Sequence, residues 1–367
     1  MNLLELAHNP AQTAKAVRLL YVQDTMPGIT RHRKGDRFIY KDAKGTEVKD
    51  EDTLSRIHKM VLPPAWERVW ICAKPNGHLQ ATGIDTKGRK QYRYHTNWNA
   101  IRTETKFFRM IAFGEHLPLL RARLEKDLKQ RELTKEKVIA IALSVMEQTL
   151  IRIGNASYEK EYGSYGLTTL KDKHVNVDTG KVKFRFKGKK GVFHDITVKD
   201  RRLAKLVKAC RDIPGKELFQ YYDENGENRS IDSGMVNDYL RETAGDDFTA
   251  KDFRTWAGTV NALRMLAELE PCETEKELKK NVNTVLEEVA HKLGNTKTVC
   301  RKYYVHPQVL EAYECQDLNP YFQRKNRFRQ TSKYGLDSTE KLLLTFLKDQ
   351  LKQVARKTGS RALQQAA

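Results

Sequence analysis

The sequence predicts an α+β fold, with a small N-terminal β-sheet domain and a larger, mostly α-helical domain that carries a β-hairpin insert. Three observations lead to this prediction. Short β-rich runs bounded by Gly, Pro and Asn fill about the first 100 residues. Hydrophobic residues recur at helical spacing over most of the remainder. A second group of strand-like runs interrupts the helices near residues 166–198.

The N-terminal domain is assigned to residues 1–100. Arg37 to Tyr40 is typical of a strand that ends in a turn, and residues 91–95 alternate aromatic and polar side chains. Ser55 to Leu62 is predicted to form a helix that stops at Pro63. The combination indicates a small sheet accompanied by a helix or two.

The helical domain is assigned to residues 101–320. Thr134 can cap a helix whose apolar body runs from Val138 to Ile151, and Thr249 can cap another. The stretch from Val282 to Leu293 matches the i, i+3, i+4, i+7 pattern closely, and Gly294 is suited to end it. We therefore expect several packed helices around a buried central one.

Within this domain the insert contains strand-like runs at 167–170, 174–177, 182–186 and 193–196, with glycine-containing turns at 178–180 and 187–191. Beyond it, residues 321–367 are predicted to form a basic, helical C-terminal extension with an apolar helix near its middle. The sequence does not distinguish a DNA-contacting role for this extension from a packing role.

Composition favours a polyanionic partner. The 367 residues carry 67 Lys and Arg against 47 Asp and Glu, a net charge of +20, and mean hydropathy is −0.68. Such charge repels itself in a compact protein, so nucleic acid is the expected partner, ahead of a merely soluble basic protein or an anionic membrane. Five widely spaced cysteines without a Cys-x-x-Cys pair argue against disulfides and structural zinc. With no evident signal peptide, a cytoplasmic location is expected, nucleoid-associated in a bacterium.

The segments that suggest chemistry lie in the helical domain. Asn295 follows the helix-ending glycine, and Tyr304 follows nine residues later, although each alone is most simply a cap and an ordinary half-buried tyrosine. Arg254 arrives from a separate helix. A tyrosine fixed beyond a helix end, with arginines from remote segments, suits attack on a phosphodiester, because arginines offset the charge that builds up on the phosphate.

Five segments together resemble the poxvirus-like and bacterial type IB DNA topoisomerases, in the order that this family has them. The resemblance covers about residues 30–310. Its segments are residues 85–94, Ile151-Arg152-Ile153-Gly154-Asn155, Lys187-Gly188-Lys189-Lys190, Lys251-Asp252-Phe253-Arg254-Thr255-Trp256, and Leu293-Gly294-Asn295 with Arg301-Lys302-Tyr303-Tyr304-Val305-His306-Pro307.

The resemblance implies a role for each catalytic residue. Tyr304 is the nucleophile and becomes joined to the 3′ phosphate, while Arg152 and Arg254 bind non-bridging oxygens. Lys189 is the general acid for the departing 5′ oxygen, and the other cations near it favour loss of its proton. Asn295 stands where much of the family has histidine; its amide can donate a hydrogen bond but cannot titrate.

Two of these assignments have close rivals. Tyr303 is adjacent to Tyr304, but the nine-residue offset and the following Val-His-Pro favour Tyr304, and neighbouring helical residues point about 100° apart. Lys190 competes with Lys189, which we prefer because it directly follows the turn glycine. The simpler interpretation of the basic segment at residues 181–190 is that it holds the DNA backbone without taking part in catalysis.

Further DNA contacts are predicted in both domains. On the strand near residue 92 the tyrosines share a face and basic side chains alternate with them, although both tyrosines could instead belong to the core. The predicted contacts are Lys87, Arg89, Lys90, Gln91, Tyr92, Tyr94, Lys187 and Lys190.

The predicted function is ATP-independent relaxation of supercoiled duplex DNA by transient cleavage of one strand, strand rotation and religation. The resemblance implies a monomer that acts as a clamp around the duplex. No metal-ligand spacing is evident, so no cofactor or obligatory metal is expected, although magnesium should speed product release. The alternatives are a tyrosine site-specific recombinase, which usually has His rather than Lys251 three residues before the second arginine, and a non-enzymatic DNA-binding protein.

Overall fold

The computed structural model describes residues 10–35, 37–86, 90–245, 248–272, 274–324 and 332–364, with side chains omitted for 100–108 and 354–364. The chain divides into two compact units, Met1–Arg109 and Met110–Ala367. None of the helices among these described residues combines the length and the apolar character needed to cross a membrane.

The first unit is built on a five-stranded antiparallel sheet. Its elements are α1 (Pro10–Ala16), β1 (Ile29–Lys34), β2 (Arg37–Lys41), α2 (Glu51–Lys59), β3 (Glu67–Ile71), β4 (Leu79–Ile84) and β5 (Lys90–Tyr94). The strand order is β2-β1-β3-β4-β5, and Ile57 of α2 packs with Ile71 and Ala81 in the core.

Helices dominate the remainder, and a long helix, α3 (Thr96–Leu128), spans the division between the units. The others are α4 (Lys135–Thr149), α5 (Ala156–Tyr162), α6 (Arg201–Arg211), α7 (Ser233–Ala244), α8 (Ala250–Leu266), α9 (Glu275–Leu293), α10 (Lys297–Tyr303), α11 (Pro307–Glu314), α12 (Asn319–Arg324) and α13 (Ser338–Gln364). The α+β class predicted from the sequence is confirmed.

The capping residues act as their sequence context predicts. Thr134 precedes α4 and accepts a hydrogen bond from the Lys137 amide, and Thr249 forms a capping box with Asp252 at the start of α8. Helix α4 is the central helix, with most of its side chains buried. Gly294 ends α9 in the left-handed conformation at φ +58°. This last cap turns the chain sharply just before Asn295.

The insert is an antiparallel sheet of order β6-β7-β8, with β6 (Val175–Asp178), β7 (Lys181–Lys187) and β8 (Phe193–Val198). The strand expected at 167–170 is wrong, because Leu167–Thr169 is a 3-10 turn. The Thr169 hydroxyl accepts from the Gly166 amide at 3.0 Å and also contacts the Gly166 carbonyl oxygen at 3.2 Å. These local bonds replace the ladder bonds of a strand. A second small sheet pairs β9 (Gln220–Tyr222) with β10 (Asn228–Ser230).

The C-terminal helix contributes one buried carboxylate to the second unit, beside buried apolar side chains such as Leu343 and Phe346. Glu340 of α13, only 5% exposed, accepts two hydrogen bonds from the Arg121 guanidinium at 2.8 and 2.9 Å. Its Oε1 also accepts from the indole N–H of Trp256 at 3.1 Å. Arg121 donates to Glu147 as well, at 2.7 Å. Residues from α3, α4, α8 and α13 therefore share one ionic network, two positions along α8 from Arg254.

Candidate active site

Tyr304 lies where one short helix ends and before the next begins. Its amide donates to the Cys300 carbonyl at 2.9 Å, and its φ of −130° leaves the helical range. Val305 is fully buried, and the ring of His306 accepts from the Gln308 amide at 3.2 Å, capping α11. The Val-His-Pro segment thus fixes the backbone on the C-terminal side of the tyrosine. Tyr303, in contrast, is 42% exposed.

The tyrosine backbone is also attached to α8. The hydroxyl of Thr259, a residue with no exposed surface, shares its one proton between the Thr255 carbonyl at 3.0 Å and the Tyr304 carbonyl at 3.2 Å. It accepts from the His306 amide at 3.1 Å. A β-carbon on Gly258 would lie 2.7 Å from the same carbonyl oxygen, so only glycine allows this approach. These contacts place the tyrosine against the helix that carries Arg254.

Arg152 is positioned by the loop after α4. Leu150 ends that helix in the left-handed conformation, and the Arg152 carbonyl accepts from the Leu167 amide at 2.8 Å. Gly154 and Gly166 meet so closely that a β-carbon on Gly166 would lie 2.5 Å from the Gly154 Cα. The first arginine is therefore held by backbone contacts made on both sides of it.

Asn295 contacts Arg152 through its side-chain oxygen. Arg152 Nη2 donates to Asn295 Oδ1 and, at 2.8 Å, to the Gly294 carbonyl. A guanidinium has no acceptor, so the amide must turn its oxygen toward Arg152 and its N–H groups away. The Asn295 side-chain nitrogen is therefore held as a hydrogen-bond donor, which is the role predicted for it from the sequence.

Arg254 is 4% exposed and lies over the Tyr304 ring, with 5.4 Å from its Cζ to the ring centroid. Its Nη2 donates to the Leu293 carbonyl at 2.8 Å. Burial and then the positive charge of Arg152 lower its pKa to about 10, while Tyr304 opposes the change. Burial likewise lowers the pKa of Arg152. Arg254 still carries its charge at neutral pH.

Three buried donors of this cluster have no hydrogen-bond partner among the described residues: Arg152 Nη1, Arg254 Nε and Asn295 Nδ2. Unpaired donors at such depth cost free energy, about 1–3 kcal/mol each. They come from three remote segments and surround a tyrosine, and two of them belong to positively charged groups. Together they provide a site for an anion with several oxygens, such as a phosphodiester.

Lys189 lies on the turn between β7 and β8, after Gly188. The Gly188 amide donates to the Val192 carbonyl at 2.7 Å, and Lys190 adopts the left-handed conformation at φ 60°. Lys189 Nζ lies 5.5 Å from the ring centroid of Tyr158, a cation–π contact that the sequence did not suggest. Lys187, Lys189 and Lys190 are all exposed.

His194 is the other side chain that sequence reasoning missed. It stacks on Phe186 with 4.8 Å between ring centroids. A β-carbon on Gly294 would lie 2.5 Å from His194 Cε1, and one on Gly188 would lie 2.7 Å from Cδ2. The sequence feature that could have pointed to His194 is its place on the same face of β8 as the apolar residues Ile196 and Val198. Burial, then Arg152 and Arg254, lower its pKa to about 4, so the ring is neutral.

Four of the contacts predicted in the first unit, Lys90, Gln91, Tyr92 and Tyr94, lie on β5. Lys90 pairs with Asp24 at 2.5 Å, and Gln91 donates to Asp85 at 2.9 Å. Tyr92, 47% exposed, stacks on Tyr94 with 6.0 Å between centroids. Tyr94 also packs against the core cluster that contains Trp98, so it is partly a core residue, whereas Tyr92 is available on the surface. Lys87 and Arg89 lie outside the described residues.

Within the described part of the chain, no group of three or more His, Cys, Asp or Glu side chains is arranged to hold a metal ion. The predicted residues Arg152, Arg254, Asn295 and Tyr304 form one cluster, and Lys189 is connected to it through the His194 ring.

Comparison with known proteins shows that the chain is similar to DNA topoisomerases. The profile of "Eukaryotic DNA topoisomerase I, catalytic core" matches residues 95–331, and that of "Bacterial DNA topoisomerase IB, N-terminal domain" matches residues 37–85. The DNA topoisomerase 1B of Acanthamoeba polyphaga mimivirus is 33% identical over 79% of this chain and 88% of the viral protein. The DNA topoisomerase 1B of Vaccinia virus (strain Copenhagen) is 23% identical over 67% of this chain and 75% of its own. The chain belongs to the type IB DNA topoisomerases, a family of enzymes.

Proposed function

We propose that the protein relaxes supercoiled duplex DNA by cleaving one strand through Tyr304 and resealing it. The observation that carries this proposal is the set of unpaired donors on Arg152, Arg254 and Asn295, arranged beside the tyrosine. A scissile phosphodiester supplies the oxygens that these donors lack. DNA is accordingly the substrate class, in keeping with the net charge of +20.

In cleavage the Tyr304 oxygen forms a bond to phosphorus, and the bond from phosphorus to the 5′ oxygen breaks. The phenol proton leaves to solvent, and Lys189 delivers a proton to the departing 5′ oxygen. The product is a 3′-phosphotyrosyl bond and a free 5′ hydroxyl. Negative charge grows on the non-bridging oxygens as tyrosine adds, and both arginines and the Asn295 amide stabilise it there.

Religation is the reverse attack by the 5′ hydroxyl, with Lys189 accepting the proton. Because the phosphotyrosyl ester keeps the energy of the original bond, no ATP is needed. Between the two steps the strand beyond the nick is held only by non-covalent contacts, so it can rotate and release supercoils of either sign.

A single chain is sufficient for this chemistry, since all five proposed catalytic residues belong to the second unit. We infer that the enzyme acts as a monomer whose two units both contact the duplex. Exposed Lys187 and Lys190 beside the Lys189 turn, with Tyr92 in the first unit, are the proposed contacts. Lys90 would have to leave Asp24 to join them.

The decisive experiment is plasmid relaxation in EDTA without ATP, with a denaturing trap for covalent adducts. The wild type should relax both supercoil signs stepwise and form an adduct, Tyr304→Phe should do neither, and the matched control Tyr303→Phe should behave as the wild type. If Tyr303→Phe loses the adduct instead, Tyr303 is the nucleophile and the assignment to Tyr304 is wrong. An adduct without relaxation would indicate recombinase chemistry, and DNA binding alone would refute an enzymatic role.

A further inference from the structure

One side chain contacts both halves of the proposed catalytic apparatus without belonging to either. The His194 ring packs on Gly188, directly before Lys189, and on Gly294, directly before Asn295. These two loops are more than 100 residues apart in the chain. Arg152 Nη1, one of the unpaired donors, would lie 3.5 Å from a β-carbon on the same Gly294. The imidazole therefore occupies the space between the lysine turn and the phosphate donors.

Gly188 and Gly294 both lie so close to the His194 ring that the ring can fix the distance between their two loops. Any side chain at Gly294 would overlap the ring at 2.5 Å, and any at Gly188 would overlap it at 2.7 Å, so both backbones lie directly against the imidazole. On its other side the ring stacks on Phe186, with 17° between the planes. Phe186 is 2% exposed and pairs directly with His194 across β7 and β8. The ring is thus backed by the core of the insert.

A general acid must reach hydrogen-bond distance of the leaving oxygen, while the donors fix the phosphate itself. The lysine side chain is long, and its turn is joined to the rest of the site through the insert. Without a spacer the turn could move relative to the phosphate, and small misplacement is costly in catalysis.

We propose that His194 is a positioning residue, which sets the distance between the Lys189 turn and the Arg152–Asn295 pair and acts on cleavage through Lys189. This inference rests on the proposed function. A neutral ring suits the task, because a third positive charge beside two arginines would be repelled.

The test is a double-mutant cycle on single-turnover cleavage, with His194→Ala, Lys189→Ala and the double variant. Each is measured on normal DNA and on DNA whose leaving 5′ oxygen is replaced by sulfur, a leaving group that needs no protonation. We expect His194→Ala to slow cleavage of normal DNA about tenfold or more and of sulfur-containing DNA less than about threefold. The double variant should be no slower than Lys189→Ala, because residues that act as one unit are not additive.

Two controls separate positioning from general damage. Thr197→Ala, at an exposed position on the same strand, should leave both substrates unaffected. Asn295→Ala should slow both substrates alike, since it acts on the phosphate. If His194→Ala fails to fold by circular dichroism, His194→Val, which keeps apolar volume beside Phe186 but lacks the flat ring between the two glycines, takes its place in the cycle.

Equal slowing of both substrates by the His194 variant, additive effects with Lys189→Ala, or wild-type rates would each overturn the inference while leaving the proposed function intact. If the wild type forms no adduct with normal DNA or with sulfur-containing DNA, the proposed function itself is refuted, and this inference with it.

Discussion

Replacing Thr259 with valine should separate the proposed nucleophile, Tyr304, from the helix that carries Arg254. The exchange is nearly isosteric and removes only the hydroxyl, which shares its proton between the Thr255 and Tyr304 carbonyls and accepts from the His306 amide. The buried amide of His306 then loses this acceptor, at about 1–3 kcal/mol, and the lost bond to the two carbonyls adds about 1 kcal/mol. We expect the free energy of unfolding to fall by about 3 kcal/mol.

Catalysis should respond as well. If about 1.4 kcal/mol of this loss is felt in the transition state through displacement of Tyr304, single-turnover cleavage slows about tenfold. The assays are urea unfolding and adduct formation on a linear duplex. Thr259→Ser, which keeps the hydroxyl, should cleave at nearly the wild-type rate.

Thr255→Val is the matched control, since that hydroxyl lies on the same helix and donates only within it, to the Lys251 carbonyl at 3.1 Å. Equal losses of stability and cleavage rate in Thr255→Val and Thr259→Val would contradict the role given to the Thr259 hydroxyl. The same holds if Thr259→Val slows cleavage no more than Thr259→Ser does.

Four further outcomes are expected. Asn295→Asp keeps an acceptor for Arg152 but turns a carboxylate oxygen toward the phosphate, so cleavage should fall about a hundredfold or more while Asn295→His stays active; equal rates would contradict the donor role. Glu340→Gln should lower the free energy of unfolding by about 3 kcal/mol, because it breaks a buried ion pair, whereas Glu115→Gln at a surface pair should cost at most about 1 kcal/mol. Burial, and then Arg152 and Arg254, lower the pKa of His194 from 6.5 to about 4 in the folded protein, so urea titrations should show the free energy of unfolding decreasing as pH drops from 6.5 to 4, and His194→Phe should flatten that slope. DNA affinity should fall about a thousandfold between 50 and 200 mM salt, and filter binding that shows a shallow dependence would refute a phosphate-dominated interface.

Local signals predicted the parts of the fold that depend on neighbours in sequence. Thr134, Thr249 and Gly294 end or begin helices because capping requires a particular residue at one position, and the structure confirms all three. The error at residues 167–170 arose because a threonine side chain that bonds its own backbone is invisible to strand periodicity.

The remaining features of the site depend on pairs that are distant in sequence. The Arg152 side chain meets the Gly294 carbonyl across 142 positions, and the buried bond between Thr259 and His306 spans 47. A periodic pattern shows that such a residue faces inward, but not which partner it meets there. The motif order predicted the two arginines and the tyrosine as site residues, whereas His194 and Thr259 belong to no motif and their contacts are visible only in the structure.

The position of Glu340 in the chain bears on what a truncated product can do. A polypeptide that stops between Tyr304 and Glu340 keeps the nucleophile and every proposed phosphate ligand, yet leaves Arg121 and the Trp256 indole without their shared carboxylate. Such a fragment keeps the Arg121–Glu147 pair but loses the bidentate partner of Arg121 and the acceptor of the Trp256 indole, which lies on the helix of the second arginine. These losses favour unfolding over a partly active state, so a truncated product is expected to be inactive rather than able to break DNA without resealing it.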